Sequence, residues 1–70
     1  MLKIEVQFNN NLYEVNFRII NKEKPSPIER VFKYIVSISL EKCEGNLQAS
    51  IDLINKNNFN VMVDEIKVKD

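Results

Sequence analysis

Hydrophobic and polar positions alternate strictly at the start of the chain, with Leu2, Ile4, Val6 and Phe8 on one side and Lys3, Glu5 and Gln7 on the other. A period of two is that of a strand with one face buried and one face in water. The triplet Asn9-Asn10-Asn11 follows, and asparagine tolerates the left-handed backbone of tight turns, so a hairpin is expected. Alternation resumes from Leu12 to Ile20, setting Tyr13, Val15, Phe17 and Ile19 against Glu14, Asn16 and Arg18, and predicts a second strand. Residues 21 to 27 gather charges and two prolines, which cannot donate to a central ladder and mark a stiff, exposed loop.

Residues 28 to 43 fit two periods. As a strand, Phe32, Tyr34, Val36, Ile38 and Leu40 form one apolar face opposite Lys33, Ser37, Ser39 and Glu41. As a helix, Ser26 is the N-cap, Pro27 takes the first helical position, Glu29 completes a capping box and Gly45 follows the last turn,. The helical projection places Ser39 and Lys42 on the apolar side beside Ile28, Val31, Phe32, Ile35 and Ile38. Branched and aromatic side chains also lose rotamer freedom in a helix, so the strand is the preferred reading.

Glu44-Gly45-Asn46 holds the single glycine where a tight turn needs it,. Leu47, Ala49, Ile51 and Leu53 then alternate as in a further strand, although Gln48 to Lys56 also fits a short helix. After the turn at residues 55 to 58, Phe59, Val61 and Val63 alternate, and the parity switches at Asp64-Glu65 to bring in Ile66 and Val68. A β-bulge produces that switch. The expected fold is therefore all-β, a single small domain over residues 1–70: a five-stranded antiparallel meander, either an open sheet or a small barrel. If residues 27–43 are helical, the expectation becomes an α+β domain of ββαββ order.

The chain has 70 residues, 44% of them hydrophobic and 29% charged, enough for one folded domain with a thin core. Domains this small usually need a supplementary stabiliser. A lone Cys43 without any histidine forms no intramolecular disulfide and no ordinary zinc site,, which leaves self-association into a homo-oligomer. The single thiol and the charges within Met1-Leu2-Lys3-Ile4-Glu5-Val6 point to a cytoplasmic protein without a signal peptide or membrane span,.

Formal net charge is zero, so no global field draws the chain to nucleic acid or an anionic membrane. Arg18, Lys22, Lys24, Arg30 and Lys33 nevertheless crowd one stretch and form a candidate loop or anion contact. Without histidine the commonest general base is missing, and only carboxylate pairs such as Asp52 with Asp64 or Glu41 with Glu44 stay conceivable,. One glycine builds no phosphate cradle, and no calcium-loop spacing is present,. The expectation is no enzyme, no cofactor and no metal.

Two binding functions follow. Unpaired sheet edges and a second apolar surface formed by Ile20, Val31, Ile35 and Ile54, opposite the main stripe, suit a protein partner,. Alternatively, Tyr13, Phe17, Phe32 and Tyr34 among the basic residues suit an OB-like binder of single-stranded nucleic acid,. Zero net charge favours the protein partner. Plentiful Asn, Lys and Ile with scarce Gly and Ala resemble the product of an AT-rich genome, consistent with a phage- or plasmid-encoded modulator of a host protein.

Overall fold

A computed structural model describes residues 1–69 and has the order ββααβ: β1 (Leu2–Phe8), β2 (Asn11–Ile19), α1 (Glu29–Lys42), α2 (Leu47–Lys56) and β3 (Val61–Val68). The strands form one antiparallel sheet in the order β1-β2-β3. Tyr13, Val15, Phe17, Val6, Val61, Val63 and Ile66 are buried on one face. A three-stranded sheet with a continuous apolar face needs a second layer, and the helices supply it, α1 against β1 and α2 against β3.

The five-stranded all-β meander is thus overturned. Residues 28–43 and 47–53 do not extend the sheet but cover it, and the ββαββ alternative has the first helix but lacks the second. The alternation in residues 32–40 is compatible with either period; what separates them is which side chains are covered. Phe32, Val36, Ser39 and Leu40 are buried, at the spacing of one helical face,. Tyr34, which a strand would bury beside Phe32 and Val36, stands 67% exposed. The Phe32 ring meets Phe17 of β2 edge-on, with centroids 4.7 Å apart,.

The start of α1 differs from the capping box that the helical alternative implies. Ile28 is the N-cap residue, extended and without a side-chain capping bond. Ser26 precedes Pro27 and is biased away from helical backbone by it; its Oγ meets Asn60 Nδ2 at 3.1 Å instead. At the other end, Glu44 N–H donates to the Glu41 carbonyl at 3.1 Å and Gly45 N–H to that of Leu40 at 2.9 Å. With φ of +54° at Glu44 and +82° at Gly45, this is a Schellman stop. Asn46 then caps α2, its Oδ1 accepting from Ala49 N–H at 2.9 Å,.

The hairpin expected at Asn9 to Asn11 is present, with φ of +51° and +66° at Asn9 and Asn10 and Phe8 paired to Asn11, the geometry of a two-residue type I′ turn. The bulge is present too. Asn16 pairs with Glu65 while Phe17 pairs with Val63, so Asp64 is the extra residue and the parity of β3 changes after it.

Candidate functional site

The sheet face away from the helices is polar and internally paired. Arg18 grips Asp64 with Nη2 and Nε at 2.8 to 3.2 Å, and Lys69 bonds Glu5. Glu14 sits mid-sheet and is largely covered, with Lys67 at 3.5 Å and Lys3 at 3.9 Å. Burial is the largest single influence on Glu14 and raises its pKa. Attraction to Lys3 and Lys67, with hydrogen bonds from Asn16 and Lys67, together outweighs it and holds the carboxyl below the ordinary glutamate value,. Arg18, Asp64 and Glu14 are thereby matched within the sheet, while Lys3 and Glu5, though each has a partner, keep about half of their side chains exposed on the edge strand β1.

The helical face is different. Tyr34, Ile35 and Ile38 of α1 and Leu53 of α2 line a groove of about 280 Å³, floored on one side by Phe59 and bounded by Lys42 and Asn57. Val31 lies one turn earlier on the same stripe and is 44% exposed. Positions 31, 34, 35 and 38 recur at helical spacing, which places them together on the side of α1 next to α2. Ser39 lies at the base of this groove, and its hydroxyl donates to the Ile35 carbonyl at 2.8 Å, so a polar residue on the apolar side is satisfied within its own helix,.

Phe59 also borders a second depression, lined by Ile20, Lys24, Pro25 and Pro27. Its rim is the loop that the two prolines stiffen. Asn60 ties that loop down: its Nδ2 lies 2.9 Å from the Asn21 carbonyl, 3.1 Å from that of Lys24 and 3.3 Å from that of Pro25. Its Oδ1 accepts from Asn21 N–H at 2.9 Å.

Of the apolar positions singled out in the sequence, Val31 and Ile35 share the groove stripe, and Ile20 reaches the same surface on the far side of Phe59. Ile54 is fully buried and belongs to the core, because α2 turns it toward the sheet rather than outward. Tyr34, Ile38, Leu53 and Phe59 complete the groove; the helical repeat at 31, 34, 35 and 38 is the signal for the α1 members.

The basic residues are not gathered. Arg18 lies on the opposite sheet face in its pair with Asp64, Lys22 and Lys24 stand on the loop, and Arg30 and Lys33 belong to α1, where Lys33 pairs with Glu29 at 3.3 Å. Tyr13, Phe17 and Phe32 are core residues, leaving Tyr34 as the exposed aromatic of the four. The OB-like platform depended on a five-stranded barrel and disappears with it. The carboxylates Asp52 and Asp64 are likewise apart, Asp52 bonded by Gln48 on α2 and Asp64 by Arg18 on the sheet.

No known protein family, curated protein or solved structure matches this chain.

Proposed function

We propose that this is a non-enzymatic protein-interaction module that receives an amphipathic helical segment of a partner in the α1–α2 groove. The observation that carries the reading is the apolar stripe of α1, in which Val31 and Tyr34 are exposed and Ile35 and Ile38 half-buried, with Tyr34, Ile35 and Ile38 sharing a groove with the half-buried Leu53 and Phe59. In helix-in-groove recognition the partner helix brings the apolar anchors, and the receiving surface is an apolar trough of the kind that α1 and α2 wall here,. A volume of about 280 Å³ suits such anchors better than a whole drug-sized ligand, whose pockets run from about 300 to about 1,000 Å³. Tyrosine is favoured at such surfaces because it offers large area at low entropic cost.

A cytoplasmic host protein, bound by a phage- or plasmid-encoded modulator, is the partner class that the composition supports. Among the described residues no helix is long and apolar enough to cross a membrane, which is compatible with that setting. The test is affinity capture with wild type, Ile38→Glu and the pair Lys22→Glu/Lys24→Glu, followed by titration of the captured protein. Loss of at least tenfold in affinity with Ile38→Glu, and little change with the lysine pair, supports the groove. Retained affinity in Ile38→Glu removes it.

A further inference from the structure

We infer that the free edge of β1 pairs with β1 of a second copy of this chain, joining two sheets into one continuous antiparallel sheet about a two-fold axis at Ile4. This surface is separate from the α1–α2 groove and does not depend on it.

The two sheet edges are unlike. β3 is interrupted by the bulge at Asp64, a device that spoils an edge for further pairing. β1 is a regular seven-residue strand without proline or bulge, paired on one side only. The backbone groups that it leaves free follow from the register. Phe8 and Asn11 close the two-residue turn and are therefore a hydrogen-bonded pair, as are Val6 with Tyr13 and Ile4 with Val15 by alternation,. The Leu12 carbonyl accepts from Lys69 N–H at 2.8 Å on the β3 side, which confirms that its β1 partner Gln7 turns its own groups away from β2. Lys3, Glu5 and Gln7 thus present N–H and C=O outward.

A two-fold axis requires the edge to complement itself. Placing Lys3 opposite Glu5 of the second copy does so twice, once on each side of the axis, and each such pair exchanges both of its main-chain bonds. The next register sets Glu5 against Glu5, a like-charge contact. The charge pattern therefore selects the axis at Ile4.

The helical layer repeats the complementarity. Glu29 and Lys33 of α1 line the cleft beside Lys3, Ile4 and Glu5. The same axis runs α1 antiparallel to its mate, so the Glu29–Lys33 pair faces the reverse order of charges. On the core side, this register sets Leu2, 49% exposed, opposite the position of the buried Val6 in the second copy. Its exposure lies at the mouth of a cleft formed with Ile4, Pro27 and Phe32, and pairing closes that mouth. The occupant is a second copy because both layers match themselves.

Light scattering over a concentration series up to about 1 mM populates even a weak dimer and should show mass rising twofold. Glu5→Pro removes an N–H that the monomer does not use, so the fold survives on an edge strand while the mass stays monomeric; circular dichroism checks the fold. Lys3→Glu and Glu5→Lys each create like-charge contacts across the axis and should be monomeric alone, yet form a heterodimer when mixed. A monomeric wild type, a dimer that survives in folded Glu5→Pro, or charge variants that fail to combine overturns the inference. Dimerisation lost in Ile38→Glu and retained in Glu5→Pro assigns self-association to the groove instead.

Discussion

The Ser50 hydroxyl lies 3.3 Å from the carbonyl of Ser39 and 2.8 Å from that of Asn46, fully buried where α2 crosses α1. Two small residues thereby let the helix backbones approach, and the only polar atom that Ser50 brings is satisfied. Ser50→Leu should cost about 1 to 3 kcal/mol by overpacking this crossing. Ser50→Ala, which removes the hydroxyl without adding volume, should cost about 1 kcal/mol or less. Urea midpoints at constant m-value measure both, and a neutral Ser50→Leu contradicts the close approach.

The edge-on contact of Phe17 with Phe32 ties α1 to the central strand. Phe32→Ala should destabilise by about 3 to 5 kcal/mol through cavity formation. Tyr34→Ala, on the exposed side of the same helix, should stay within about 0.5 kcal/mol. Were the segment a strand with both side chains inward, the two substitutions would cost similar amounts, so the contrast in thermal midpoints tests the fold itself.

Acid should weaken the sheet through Glu14. Its carboxyl titrates below the ordinary glutamate value in the folded state, so the folded chain resists protonation more than the unfolded chain does. The contribution is present above the unfolded value and is lost as pH falls through the folded one. Comparing urea midpoints between about pH 6 and pH 3, the acid limb should be shallower in Glu14→Gln than in wild type. Identical limbs in the two proteins refute this role.

Asn60 combines a left-handed backbone, φ +66°, with the amide that anchors residues 21 to 26. Asn60→Ala removes the tether and places a residue poorly suited to positive φ there. A loss of about 1 to 3 kcal/mol is expected, with faster amide exchange at Asn21 and Glu23, whose N–H groups bond to Asn60 and Asn21 side chains. Unchanged exchange at both amides shows that the prolines alone hold the loop.

Most segment boundaries were legible in the chain because turn chemistry is local: the asparagine pair, the proline loop and Glu44-Gly45 fall between elements, whereas the turn expected at residues 55 to 58 begins too early, since Asn55 and Lys56 end α2 and β3 starts only at Val61. The β1–β2 hairpin and the Asp64 bulge were also legible, since each is written as parity along one strand. The surface stripe was half legible. Val31 and Ile35 stood out as apolar residues off the main alternation, whereas Tyr34 and Ile38 were hidden inside it.

The conformation of residues 28–42 and 47–56 was not local information. Their side chains satisfy a period of two and a period of 3.6 almost equally, and Ser39 and Lys42 counted against the helix. The packed molecule removes that objection: Ser39 is satisfied by its own helix and is small enough for the crossing, and Lys42 ends at the exposed rim of the groove. Local pattern thus set the strands, the turns and the bulge. Whether the middle of the chain extended the sheet or covered it was settled by the apolar face of β1, β2 and β3, which gains more from two helices laid across it than from further strands at its edge.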